Sequence, residues 1–449
     1  MCFGYQTEDS CPGEVQAAGT KGAVQSPQPR RKLSPGPGLG AQEVAAHQLA
    51  RIHDATIEIV AEQGYQALKV RDVVRRAEVS TRAFYEHFAS KEDCFLQTYR
   101  LISRRATRRM IAAQAAEPDW RKRPRLVFEE FVNGLESEPA GARLTLIEAY
   151  TAKATLEEAR RVEQAFESML AEAFSRTPKG VAVPPLIVQG MVAGVATVSR
   201  NRLLSGKVAD LANNGGELVD WAMCYPDKVA ARLPDLDSQS VWRDTTLQPL
   251  DLGEQWHQGG DRALILAAVA ELAAAKGYAA LTAPRIRSVA NVSRHKFEAH
   301  FDGVEDCYLA ALEQRVGEAM AQVARAQTAA SSQAGGVYRA IAALCDHIDG
   351  DPFLARVCLT DDFPAGPNGV RSRQRLMDAA TELLLDEPSR STRLMTEAST
   401  GAVWSLFHRH VVRDRALRQQ ISATLAYLTL APAIGPAATV RALEREQSP

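Results

Sequence analysis

Net charge is nearly absent from this sequence: 53 Lys and Arg stand against 54 Asp and Glu in 449 residues. A chain so balanced has no general pull on polyanions, so a hold on nucleic acid has to come from a local basic face. Aromatics are few, at 6 %, while Ala, Leu, Arg and Glu are frequent, a mixture that favours helix. The seven cysteines are odd in number and form no C-x-x-C pair. Neither a disulfide framework nor a zinc site is indicated, and a reducing cytoplasm is the expected compartment. No apolar run is long enough to span a bilayer, and the first residues lack the apolar core of a secretion signal. Also missing are a G-x-S-x-G elbow, a Walker loop, H-E-x-x-H and a dinucleotide fingerprint. His408 and His410, two apart on an expected helix, do not share a face as paired metal ligands do. No catalysis, cofactor or metal is expected, and no membrane contact.

What is present is a device written twice. Val79–Cys94 reads VSTRAFYEHFASKEDC, and Val292–Cys307 reads VSRHKFEAHFDGVEDC, without a gap between them. Ahead of the first copy, Ile52, Ala55, Thr56, Ile59 and Val60 recur at helical spacing until Gly64. A short helix is expected over 70–77 and another over 81–88, with Ser80 as its N-cap. A further helix opens at Ser90, where Ser90-Lys91-Glu92-Asp93 has the form of a capping box with Asp in the Glu position. Two short helices joined by a tight turn and packed on a longer one make a helix-turn-helix. Leu68, Val73, Val74, Ala77, Val79, Phe84 and Phe88 are its expected core.

An offset of 213 residues carries Gly64-Tyr65 onto Gly277-Tyr278, Ser80 onto Ser293 and Phe84 onto Phe297. So long a period means duplicated domains, not a solenoid. Both copies are followed by helical sequence, with 186–204 and 208–223 expected to close the first half, and 394–412 and 416–430 the second. The expected boundaries are a disordered tail over 1–40, a helix-turn-helix over 41–95 and a helical domain over 96–233. A linker over 234–260, holding Trp242 and Trp256, leads to a second helix-turn-helix over 261–310 and a second helical domain over 311–445. Arg30, Arg31 and Lys32 are read as part of a solvated tail, with a groove-binding arm as the rival reading.

Gly64-Tyr65, Leu68 and the stretch Val79–Cys94, with its Y-x-H-F-x-x-K-E pattern, resemble the DNA-binding domain of the TetR (tetracycline-repressor-like) family of transcriptional regulators. The resemblance covers about 50 residues, and a weaker one covers a similar length from Arg262. It implies an all-α fold in which a three-helix helix-turn-helix is followed by a helical domain for ligand binding and dimerisation; a typical member holds one such unit and works as a dimer, whereas the repeat here gives two units in tandem. It also implies a ligand-responsive repressor of operator DNA. Thr81, Arg82 and Ala83 would start a recognition helix in the major groove, Arg82 toward a guanine edge and Ala83 toward a thymine methyl. Arg71, Ser80, Tyr85, His87 and Lys91 complete the expected DNA-binding set, mostly as phosphate contacts. An unidentified small molecule is the expected effector, with Phe128, Phe131, Tyr150, Phe166 and Met169 as lining or, on the plainer reading, ordinary core.

The second copy departs where chemistry would sit. Tyr85 becomes Glu298, Lys91 becomes Val304 and Arg71 becomes Pro284. Arg294, His295, Lys296 and His300 remain as a weak second DNA site, and the second unit is expected to serve mainly as a fused dimerisation partner. Gly190, Ala193, Gly194 and Thr197 would let the last helices approach closely, in an intrachain pseudo-dimer or a homodimer, or, on the plainer reading, pack within one half. The run Arg100, Arg104, Arg105, Arg108 and Arg109 is expected to be a solvated helix face. The rival from another class is a ligand-sensing or interaction scaffold that has lost DNA binding.

Overall fold

The computed structural model describes residues 41–175, 183–226, 260–359, 392–409 and 415–447, and these contain helices and no strand. The expected tail, most of the linker with its two tryptophans, and His410 lie outside the described residues.

The first helix, α1 (Ala41–Gln63), ends where Gly64 takes φ +78° and ψ 163°. This backbone region is open almost solely to glycine. A 3-10 turn over Tyr65–Ala67 leads into α2 (Val70–Arg76), then α3 (Thr81–His87) and the long α4 (Lys91–Ala115). Ser80 Oγ accepts from Ala83 N at 3.0 Å and Ser90 Oγ from Asp93 N at 3.2 Å, the two N-caps read from the sequence. Asp93 returns to the amide of Ala89, at 2.9 Å, one residue ahead of the position a capping box uses. Ile52, Leu68, Val73, Phe84, Phe88 and Phe95 form the core of this module, and Leu144 and Ala149 seal it from behind.

Helices α5 (Arg123–Ser137), α6 (Pro139–Leu146), α7 (Lys153–Ser175), α8 (Pro185–Ser205) and α9 (Ala209–Met223) follow. The pattern then returns with α10 (Asp261–Lys276), α11 (Ala283–Ala290), α12 (Arg294–Glu298) and α13 (Val304–Thr328). Gly277 repeats the backbone of Gly64 at φ +75°, and Ser293 Oγ caps α12 by accepting from Lys296 N. The second recognition-helix position is only five residues long, so His300 lies beyond it. After α14 (Gln333–Gly350) and α15 (Pro352–Leu359) come α16 (Arg393–Arg409), α17 (Arg415–Ile434) and α18 (Pro436–Gln447). The last was not anticipated.

The two halves share one central core. Leu186, Ile187, Val198, Trp221 and Tyr225 from α8, α9 and the residues just after α9 pack with Ala398, Ala402, Leu425 and Tyr427 from α16 and α17. The expected close approach is present: a Cβ on Gly194 would fall 2.6 Å from the Ala398 carbonyl, and one on Gly401 would fall 2.6 Å from Thr197 Cβ. Around it run polar bonds. Arg202 donates to both carboxylate oxygens of Glu397 at 3.1 and 2.9 Å, Asn201 adds a third at 2.9 Å, and Trp221 Nε1 donates to Ser399 Oγ at 2.9 Å. Among the described residues no helix is long and apolar enough to cross a membrane.

Candidate DNA-binding face and effector cavity

In the first helix-turn-helix the chain turns between α2 and α3 through Glu78, whose φ is +51°. A non-glycine residue there is strained, and Arg51 holds it: the buried guanidinium donates to the Glu78 carbonyl at 3.4 Å. The matching turn in the second module uses Asn291 at φ +52°, a residue that tolerates the conformation better.

The turn sets the roll of α3. Ser80, Thr81, Arg82 and Tyr85 are exposed, Tyr85 at 56 %. The Arg82 side chain is 89 % exposed and pairs with Glu86 at 3.0 Å; so loose an ion pair is worth little and can be exchanged for a base edge or phosphate. Arg71 stands free of the surface, 77 % exposed, with Asp72 at 3.8 Å. His87 is half-buried at the end of α3. Lys91 is folded in further than its expected role implies. Its ammonium donates to the Leu68 carbonyl at 3.3 Å and lies 5.2 Å from the centre of the Tyr65 ring.

Ala83 is a correction. It is 7 % exposed, turned inward beside Phe84, because a seven-residue helix pressed against α1 and α2 buries neighbouring positions. Its methyl does not stand on the outer face.

Behind this face lies a buried histidine that sequence reasoning passed over. His53 on α1 meets Phe88 edge-on and bonds Thr98 Oγ1 through Nδ1 at 2.7 Å. The Thr98 hydroxyl donates to the Cys94 carbonyl at 2.7 Å, so it accepts from a protonated Nδ1, leaving Nε2 bare in the neutral ring. Burial, and then the nearby His87, push His53 down to about 4.

The second module keeps exposed cations at the start of α12, also in loose ion pairs. Arg294 pairs with Glu298 at 2.7 Å, and Lys296 pairs with Asp261 at 3.0 Å. His295 and His300 are exposed. Glu298 sets a carboxylate at the position of Tyr85.

Phe128, Phe131, Tyr150, Phe166 and Met169 are brought together. All five line one partly open cavity of about 280 Å³ bounded by α4, α5, α6, α7, α8, α9 and the turn that carries Tyr150. Its walls are mainly apolar, with a polar corner where Tyr150 donates to Glu163 at 2.5 Å and the Arg200 guanidinium lies 5.0 Å from the centre of the Tyr150 ring. Burial and the adjacent Glu163 hold the Tyr150 phenol well above its ordinary value, so it stays a donor. Phe128 also belongs to the central core, so the plainer reading holds for it in part.

The arginine run on α4 is not a simple solvated face. Arg100 pairs with Glu158 at 2.9 Å, Arg105 with Glu138 at 2.6 Å, and Arg109 with Glu130 at 2.5 Å. These bonds tie α4 to α5, α7 and the start of α6; Arg104 and Arg108 stay exposed. Among the described residues no cluster of His, Cys, Asp or Glu is placed to hold a metal ion.

Residues 52–98 match the model of the family described as bacterial regulatory proteins, tetR family. No curated protein matches the chain. Among solved structures it is similar to the fatty acid degradation regulator FadR from Bacillus halodurans, at 18 % identity over 39 % of this chain and 97 % of that one, with a TM-score of 0.36. It is also similar to a TetR-like transcriptional regulator from Rhodococcus sp. RHA1, at 16 % identity over 39 % and 95 %, with a TM-score of 0.34. A TetR family transcription regulator from Marinobacter aquaeolei VT8 is a third, at 17 % over 40 % and 97 %, with a TM-score of 0.33. The exposed α3, its capped start and the family match over 52–98 together identify the first module as a tetR-type helix-turn-helix, the DNA-binding part of bacterial transcriptional regulators.

Proposed function

We propose that this chain is a ligand-responsive repressor that holds operator DNA through its first helix-turn-helix. On this reading the second unit is a degenerate copy that supplies the dimerisation surface within the same polypeptide. The observation that carries it is the contrast between equivalent faces. Arg71, Thr81, Arg82 and Tyr85 stand exposed in the first, while Glu298 and the Lys296–Asp261 pair occupy the second. Phosphate donors supply affinity and register, and Thr81 and Arg82 supply base readout.

The seam between α8/α9 and α16/α17 supports an intrachain pseudo-dimer, because the small-residue helix faces that a homodimer would use are already covered. Fusion makes the association intramolecular and frees the two halves from identity. The operator then needs one strong half-site and no palindrome. An effector in the cavity would act on α4, which supplies part of the cavity wall and begins beside the recognition helix.

Selection of random genomic fragments by the full chain, at low and moderate salt, tests the reading. Recovery of a shared motif with a single strongly protected half-site is expected. Failure to enrich any fragment at either salt would favour the scaffold reading.

A further inference from the structure

Besides the apolar seal of Leu144 and Ala149, a buried carboxylate joins the first helix-turn-helix to its helical domain. Glu148 lies on a 3-10 turn, Glu148–Tyr150, just after α6, and is 7 % exposed. Its Oε2 accepts from the backbone amide of Tyr65 at 3.0 Å, and its Oε1 accepts from Arg143 at 3.4 Å. Gly64 stands beside it, required there by its φ of +78°, since a Cβ would meet Glu148 Oε2 only in ordinary contact at 3.4 Å. A carboxylate accepting a buried N–H is a strong, oriented bond.

Each end of this bond leads somewhere. The Tyr65 ring stacks on Phe95, with centroids 4.6 Å apart, and carries the Lys91 ammonium at 5.2 Å. Lys91 also donates to the carbonyl of Leu68, the residue that closes the same 3-10 turn. On the other side, Thr145, Leu146 and Tyr150 line the effector cavity. One three-residue turn therefore sends Glu148 into the helix-turn-helix and Tyr150 into the cavity wall.

The second module builds the same junction with the opposite charge. Arg356 takes the place beside Gly277, its Nη2 3.4 Å from where a Cβ would be, and donates to the carbonyls of Ala274 and Ala275 at 3.1 and 3.4 Å. Val304 stands there in place of Lys91, so no ammonium is available to be held.

We propose that Glu148 is a positioning residue for DNA binding: through Tyr65 it fixes Lys91 for a phosphate contact, and occupancy of the cavity weakens the grip by shifting the Glu148–Tyr150 turn. This rests on the reading that the first helix-turn-helix holds DNA and that the cavity takes the effector.

The test uses the full chain and a fragment recovered by selection, with affinity measured across salt. Glu148→Ala is expected to weaken binding about 10-fold at moderate salt and to reduce the salt slope by ~0.9, the loss of one phosphate contact. Glu148→Gln, which keeps the acceptor, restores most of both. In a Lys91→Ala background Glu148→Ala leaves the slope where Lys91→Ala put it, a result a merely structural role would not give. Val195→Phe, which fills the cavity from α8, weakens binding when Glu148 is present and has little effect in Glu148→Ala. A wild-type slope in a folded Glu148→Ala chain overturns the proposal, as does an equal effect of Val195→Phe in both backgrounds. Should the unsubstituted chain retain no fragment at all, the DNA-binding reading beneath it falls first, a result distinct from either.

Discussion

The Tyr225 hydroxyl donates to the Leu428 carbonyl at 2.7 Å, from one half of the chain to the other. The carbonyl is open to it because Pro432, four residues on within α17, has no N–H to give. Ser399 Oγ donates to the same oxygen at 3.0 Å. A helix defect in one half is thus satisfied from the other, and the phenol that does so is fully buried.

Tyr225→Phe therefore costs about 1–2 kcal/mol in urea unfolding, the range for removing one partner of a buried hydrogen bond. Pro432→Ala supplies an internal donor to Leu428, and in that background Tyr225→Phe costs visibly less. Equal costs in both backgrounds would refute the link.

Gly194 makes the second seam prediction. A Cβ on it would fall 2.5 Å from Trp221 Cη2 and 2.6 Å from the Ala398 carbonyl. Backbone cannot yield as a flexible side chain can, so Gly194→Ala loses about 2 kcal/mol or more by overpacking. Gly206, which has open space around it but a φ of +69°, is the control: Gly206→Asn, suited to that backbone, is nearly neutral. On the pseudo-dimer reading the intact chain is expected to sediment as one molecule of 48.9 kDa, and a doubled mass would favour the homodimer.

His53 gives a pH dependence. Its folded value is near 4, below the ordinary 6.5, so between those values the unfolded chain binds the extra proton. Acid then favours unfolding: the contribution is complete above about pH 7, and about 2 kcal/mol of it is gone by pH 5. Urea midpoints of the chain and of His53→Gln, compared at pH 7 and pH 5, isolate the term. The variant loses less over this interval; a parallel loss in both would assign the acid sensitivity elsewhere.

Glu78→Asn is expected to stabilise. It relieves a positive-φ position by about 0.5–1 kcal/mol and leaves the Arg51 bond to the backbone carbonyl in place. The Glu78 carboxylate that it removes is 4.0 Å from Arg51 and largely exposed, so little is lost. Thermal unfolding of the first module within the full chain reads the sign, and a lower midpoint contradicts the account.

The sequence was most legible where causes are local. Ser80 and Ser90 cap within three residues of themselves, and Gly64 ends its helix, so those elements could be placed by eye. The close crossing at Gly194 followed from side-chain size, but Gly401 was not picked out as its partner. Helix α18 was missed although Gly435-Pro436, a glycine stop and a proline start, stood before it. The rest depended on partners far along the chain. Arg100 finds Glu158 and Tyr65 finds Glu148, and no spacing rule connects them. The inward roll of Ala83 is set by packing of α3 as a body. The strain at Glu78 was hidden because the residue type gives no sign of positive φ, whereas Asn291 in the second copy would have given one.

The most direct measurement is the salt dependence of operator binding by the full chain and two double variants. Tyr85→Phe with Lys91→Ala is expected to weaken binding at every salt concentration and to reduce the slope of log K against log salt by about 0.9, because only the lysine contact releases a counterion. Arg294→Ala with Lys296→Ala is expected to leave both affinity and slope unchanged. Equal losses from the two pairs, or a loss confined to the second, would contradict the claim that the first helix-turn-helix alone grips the duplex.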